Sequence, residues 1–209
     1  MEKIPIIVIG GATASGKTAL SIALAKRYGG RIISADSMQI YRRMDIGSAK
    51  PTMEERAGIR HELMDIAEPT ENYSVADYVQ AAHLAIADAH ANNELPIVVG
   101  GTGLYINSLV DDIEFQEVAA DPALRAALTK SAEQDGGAAL YGELKRIDPE
   151  AAEKIQPQNL RRVIRAVEVF RLTGKTISQQ QRESRKKTSR YLPLMMAISW
   201  NREILYDRI

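Results

Sequence analysis

Apolar residues fall along this chain in two rhythms, and the alternation between them predicts its elements. Residues 4–9 are branched and apolar almost without interruption, as a strand buried on both faces requires. Residues 19–28 then place Leu20, Ile22, Ala23 and Leu24 at helical spacing. A second apolar run, 31–35, closes on Asp36 and Ser37, and a third, 95–99, closes on Gly100-Gly101-Thr102-Gly103. Ser74-x-x-Asp77 is a capping box that opens a helix over 75–92, and Thr52-x-x-Glu55 predicts a shorter helix of the same kind. Polar and apolar residues alternate over 61–66, which predicts one more strand. Up to about residue 110 the order is strand, helix, strand, and the fold class is therefore α/β with a parallel sheet flanked by helices.

From Asp121 the strand rhythm stops. Helices are expected over 122–134, 138–147, 149–155 and 160–172, the last ended by Gly174. Residues 192–199 then read as a strand returning to the sheet, and Asn201 as the cap of a helix carrying Arg202 and Arg208. The expected organisation is a core of residues 1–115 and 191–209 with an all-helical insertion subdomain at 116–190. The chain stops at Ile209 inside a helical pattern, which reads as a fragment of a longer protein.

Composition changes this picture in two places. Cysteine is absent, which excludes a disulfide framework and any cysteine-based zinc site and fits a reducing, cytoplasmic setting. No apolar run approaches the ~20 residues that span a membrane, so no membrane partner is expected. The net charge of zero hides an asymmetry: residues 154–190 hold eleven Lys and Arg against only Glu168 and Glu183. Such a block points to a polyanionic partner for the helical part alone. In 160–172 the apolar residues Leu160, Val163, Ile164, Val167 and Phe170 form one stripe, leaving Arg161, Arg162 and Arg165 on other faces as a surface for a phosphate backbone. His83 and His90 have no third ligand in view and read as ordinary surface or boundary residues.

The candidate chemistry begins at Gly11-Ala12-Thr13-Ala14-Ser15-Gly16-Lys17-Thr18, which matches the P-loop pattern between a strand and a helix. Its glycines let backbone N–H groups converge on an anion at a helix N-terminus; Lys17 adds a charge, and the Thr18 hydroxyl is placed to ligate Mg2+. A P-loop NTPase-like fold and a polyphosphate ligand follow, without saying which polyphosphate. Asp36 ends a strand beside this loop, in the crevice where α/β sheets bind ligands, and is read as a base or a magnesium ligand. Thr102 offers a hydroxyl in the same crevice. Residues 38–51 are read as a loop over the site, holding Gln39, Tyr41 and Lys50.

Taken together these segments resemble the tRNA dimethylallyltransferase (isopentenyl-diphosphate:tRNA transferase) family. The likeness rests on the P-loop, on Asp36-Ser37-Met38-Gln39-Ile40-Tyr41, on Met44-Asp45-Ile46-Gly47-Ser48-Ala49-Lys50-Pro51, on Gly100-Gly101-Thr102-Gly103-Leu104-Tyr105 and on Arg161-Arg162-x-x-Arg165-Ala166-x-Glu168-Val169. The resemblance implies transfer of a dimethylallyl group from dimethylallyl diphosphate to N6 of the adenosine on the 3′ side of a tRNA anticodon. It implies that Gly11, Ala12, Thr13, Ala14, Ser15, Gly16, Lys17 and Thr18 hold the donor's diphosphate with Mg2+. Asp36, Thr102, Lys17 and Arg208 are then the catalytic set. Asp36, Ser37, Met38, Gln39 and Thr102 meet the flipped base and its neighbours, and Arg125, Arg161, Arg162 and Arg165 grip the anticodon stem-loop. The protein is expected to act as a monomer. Ala12 departs from the proline usual in the family, and the family continues beyond residue 209. Two other readings stand beside this one: a P-loop kinase that uses Asp36 to activate a hydroxyl, and a nucleotide switch or RNA-binding module without turnover.

Overall fold

The computed structural model describes residues 2–115, 121–184 and 188–208. It divides into two compact units, Met1–Ile113 with Thr188–Ile209, and Glu114–Lys187. The first unit is built on a parallel sheet of β1 (Ile4–Gly11), β2 (Gly30–Ser34), β3 (His61–Glu62), β4 (Leu95–Gly100) and β5 (Tyr191–Ile198), in the order β3-β2-β4-β1-β5. Its helices are α1 (Lys17–Tyr28), α2 (Val75–Ala91), α3 (Gly103–Val110) and α9 (Arg202–Asp207).

The uninterrupted apolar runs follow from this placement. Alternate residues of β1 face different helical layers, since a strand turns successive side chains to opposite faces. Ile6 and Val8 pack with Ile33 and Val98 against Tyr78, Ala82 and Ile86 of α2 and Leu109 of α3. Ile7 and Ile9 pack with Ile32, Ile97 and Val99 against the α1 side, around Ala25. A strand covered on both sides has no polar face to display. The register pairs Ile9 with Val99 and with Met196, so β4, β1 and β5 end together at one edge of the sheet.

Three expectations need correction. The Thr52 capping box forms, with Thr52 N–H donating to Glu55 at 2.7 Å and Glu55 N–H to the Thr52 hydroxyl at 3.2 Å, but no helix follows. Ala57 at φ 50° and Gly58 at φ 77° reverse the chain one turn later. The strand expected over 61–66 is only His61–Glu62, because Leu63 and Asp65 take positive φ. Asn201 sits at the start of α9 without making a side-chain capping bond.

Where the chain leaves this unit and returns to it, Asp112 binds the returning segment. Its Oδ2 accepts from Arg190 Nε at 2.9 Å and from the Arg190 N–H at 3.3 Å. His83 of α2 bridges Asp112 and Tyr191: its Nε2 lies 3.4 Å from Asp112, and its Nδ1 is hydrogen-bonded to the Tyr191 hydroxyl.

The second unit contains α4 (Pro122–Asp135), α5 (Ala138–Ile147), α6 (Pro149–Lys154), α7 (Leu160–Thr173) and α8 (Ile177–Ser184). Asp121, Asp148 and Asn159 cap α4, α6 and α7 with side-chain bonds to backbone N–H groups. Its core gathers Leu128, Ala132, Leu140, Leu144, Val163 and Val167. The sequence rhythm misses α8, whose Ser-Gln-Gln-Gln-Arg-Glu-Ser run has no apolar stripe after Ile177. Arg185, Lys186 and Lys187 of the basic block lie outside the described residues.

Candidate active site

The P-loop joins β1 to α1 at the sheet edge where three strands end. Two of its glycines are required by geometry. Gly11 has φ 155°, and a Cβ there would lie 2.9 Å from both the Ile198 carbonyl and Ser15 Oγ; Gly16 has φ 100° and is the N-cap of α1. Ala14 also takes positive φ, 60°, so the loop curls on itself and turns its amides inward. Lys17 Nζ donates to the Ala12 carbonyl at 2.6 Å. Burial lowers the Lys17 pKa, and the negative charge of Asp36 opposes that shift. The two groups are therefore close enough to sense one another, and an anion added to the loop would oppose the effect of burial in the same way.

The last described residues of the chain brace this first loop. Trp200 Nε1 donates to the Ser15 carbonyl at 2.9 Å, and Arg208 Nε donates to the Ala14 carbonyl at 3.0 Å. The Arg208 guanidinium lies over the Trp200 ring, 4.8 Å from its centroid. Two loop carbonyls that would repel an anion are thus covered by donors, and a cation stands at the loop's rim.

Asp36 leaves β2 in an Asx turn, its Oδ1 accepting from the Met38 N–H at 3.0 Å. Its Oδ2 has no hydrogen-bond partner among the described residues. The turn after β4 supports this one from behind. The Thr102 N–H donates to the Ala35 carbonyl at 3.1 Å, Thr102 Oγ1 accepts from the Ser37 N–H at 2.9 Å, and its hydroxyl donates to Ser37 Oγ at 3.2 Å. Gly100 lets the two strand ends meet, since any Cβ there would run into the Ala35 carbonyl and Cα.

A cavity of about 530 Å3 opens between these turns. Thr13, Ala14, Ser15, Gly16, Lys17 and Thr18 line one side; Asp36, Gln39 and Arg208 also face it, with Ile32, Met64 and Val99 supplying apolar wall. Ser37, Met38 and Thr102 do not line it; they form the turn behind Asp36. Gly11 and Ala12, the first two residues of the loop, do not line the cavity either. Gln39 accepts from Ser34 Oγ at 3.1 Å and donates to the Ser48 and Ala49 carbonyls at 3.2 and 3.3 Å, so it holds the 38–51 loop in place. Lys50 does the same from the other end. Its side chain is 3% exposed and donates to the Tyr41 carbonyl at 2.8 Å, Asp45 at 2.8 Å and Asp65 at 2.6 Å.

Among the described residues no group of three His, Asp or Glu could hold a metal ion. A P-loop site does not ask for one. Mg2+ keeps several waters and leans on substrate phosphate oxygens, so a single hydroxyl such as that of Thr18, lining the cavity beside Lys17, fits it.

The helical unit places the remaining candidates in two groups. Arg125 makes a bidentate pair with Glu168, at 3.0 and 2.7 Å, and Arg165 reaches the same carboxylate at 2.9 Å. Glu168 is fully buried; burial alone would raise its pKa, but the bonds from the two arginines hold it below the usual carboxylate range. The side chains of Arg161 and Arg162, in the first turn of α7, have no acidic partner among the described residues.

The model of the family described as IPP transferase matches residues 39–209, more than three quarters of the chain. The chain belongs to that family. Curated IPP transferase relatives extend the match through the P-loop. A tRNA dimethylallyltransferase of Caldanaerobacter subterraneus is 49% identical over 99% of the chain, and one of Acetivibrio thermocellus 52% identical over 98%. The chain spans 66% and 65% of the lengths of these two proteins. Among solved structures, a tRNA isopentenylpyrophosphate transferase of Bacillus halodurans is 42% identical with a TM-score of 0.64, over 99% of this chain and 63% of that one. A eukaryotic dimethylallyltransferase described as acting on tRNA is 32% identical with a TM-score of 0.82, over 98% and 50%. These likenesses agree with the parallel α/β fold read from the sequence.

Sequence reasoning missed Trp200 and Glu168, and noted Lys50 without a role. Trp200 is the chain's only tryptophan, which was a signal, but its partner lies 185 positions away. Glu168 was visible as one of two acids in a basic block and as a member of the Arg161-Arg162-x-x-Arg165-Ala166-x-Glu168-Val169 motif, but was given no role.

Proposed function

We propose that the chain catalyses, as part of a tRNA dimethylallyltransferase, transfer of a dimethylallyl group from dimethylallyl diphosphate to N6 of the adenosine 3′ to a tRNA anticodon. The observation that carries this reading is a single cavity lined both by an anion cradle and by a carboxylate with an unpartnered oxygen. The named activities of the relatives support it.

The geometry suits the chemistry. The P-loop amides, Lys17 and Arg208 would bind the diphosphate and stabilise the charge it gains as it leaves. Mg2+ on Thr18 would neutralise part of that charge. N6 of adenine is a weak nucleophile because its lone pair is delocalised into the ring. Asp36 Oδ2 would accept a hydrogen bond from N6, orient the lone pair at the donor's C1 and take the proton. The N6–C1 bond forms as the C1–O bond breaks, and the electron pair leaves with the diphosphate. Ser37, Met38, Gln39 and Thr102 would hold Asp36 and the entering base in place, and a base must leave its stack to reach such a cavity. Arg125, Arg161, Arg162 and Arg165 would bind the RNA outside the reacting base.

The test is incubation of the protein with Mg2+, dimethylallyl diphosphate and an anticodon stem-loop carrying adenosine at the target position. A mass gain of one dimethylallyl group on the RNA is expected. Phosphoryl transfer from ATP with no prenyl gain would replace this reading with the kinase one.

A further inference from the structure

The helical unit carries a second cavity, of about 520 Å3. One side is apolar: Ala151, Ile155 and Ile177, which belong to or pack against the unit's core. The other is cationic: Lys154, Arg161, Arg162 and Arg165. Two of these charges are already answered, Lys154 by Glu150 at 2.8 Å and Arg165 by Glu168. Arg161 and Arg162 are not answered among the described residues. They also stand in the first turn of a helix, where the dipole disfavours cations.

This combination discriminates among polyanions. A duplex presents its phosphates along a ridge and is met by a cationic surface; an apolar recess adds nothing to that contact. A free phosphate is far smaller than the cavity and gains nothing from isoleucine. An unstacked nucleotide uses both sides. Its base lies on the apolar wall, the guanidinium planes stack on the base or pair with its phosphate, and the volume is that of an ordinary small-ligand site.

We propose that this recess takes one unstacked nucleotide of the anticodon loop, distinct from the adenosine that reacts. The inference rests on the tRNA substrate proposed above and adds a second point of base capture to it. A loop would then be recognised by its splayed nucleotides, and the stem by its charge.

The experiment uses stem-loops with 2-aminopurine placed at each loop position in turn. Besides the reactive position, one position is expected to brighten on binding as its base unstacks. Ile177→Ser in the wall and Arg162→Gln, exposed in the first turn of α7, should each reduce that response, with RNA affinity falling about tenfold for the wall variant. Circular dichroism reports whether the variants remain folded, and the exposed Arg162 position keeps the test valid if Ile177→Ser does not. No responding second position, or one unchanged in every folded variant, overturns the proposal. So does a blunt stem duplex that competes as well as the stem-loop. Prenyl transfer without a second responding position overturns this inference alone; absence of any RNA binding overturns the tRNA reading with it.

Discussion

Asp36 divides its two oxygens between jobs: Oδ1 closes the turn with Met38, and Oδ2 remains for the substrate. Asp36→Asn keeps the size of the side chain and an oxygen for the turn but removes the base. The expected result is a fall in single-turnover transfer of about 10^2–10^4-fold, with RNA affinity within about threefold. A matching loss of RNA affinity would make Asp36 a positioning group instead. Glu168 is the residue-scale counterpart in the helical unit. Glu168→Ala leaves two guanidiniums beside a hole in the core. Breaking a fully buried pair costs about 3–5 kcal/mol. Arg125 and Arg165 are 54% and 45% exposed and regain water, which brings the expected loss to about 2–3 kcal/mol in urea unfolding.

The elements were legible in the sequence wherever one physical signal decided them. The sheet strands carried unbroken apolar runs because both faces are covered, and the P-loop carried its own context of strand and helix. The signal failed where a later residue overruled it, as Ala57 and Gly58 do after a correctly formed capping box. It failed again for the polar α8, and for contacts such as Trp200 with Ser15 that no local window contains. The 38–51 loop shows what local reading leaves out. It has almost no regular structure, yet Gln39 and Lys50 hold it at both ends through bonds to backbone carbonyls and carboxylates. Lys50→Met removes three donated bonds while keeping the apolar stem. Local stability should fall by about 1.4 kcal/mol, which speeds tryptic cleavage after Arg42 or Arg43 about tenfold. Lys50→Arg should restore part of the protection.

At the scale of the whole molecule, the two units differ in what acid does to them. Burial, and the positive charges of Arg56 and Arg190, lower the pKa of His61 and His83 below the ordinary 6.5. The unfolded chain then binds more protons than the folded one just below pH 6.5, so the first unit loses stability as pH falls through that range. In the helical unit the lowered groups are carboxylates. Burial raises both Asp148 and Glu168, but bonds from Ser178 and Ala151, and from Arg125 and Arg165, outweigh it. Their contribution is complete above the ordinary values of 3.8 and 4.5 and is lost only as pH falls below them. Denaturation followed by the single tryptophan, which reports the first unit, should therefore weaken between pH 7 and 5. Hydrogen-exchange protection of the amides in α4 to α8, which reports the helical unit, should hold until nearer pH 4. The bracing of the P-loop by Trp200 and Arg208 also has a consequence in time. Arg208 follows Ala14 by 194 positions, and ribosomes add about 5–20 residues per second, so roughly 10–40 s separate the synthesis of the loop from that of its brace. The first motif to leave the ribosome is among the last parts of the site to be finished, and a nascent chain carries the phosphate signature long before it carries a completed cradle.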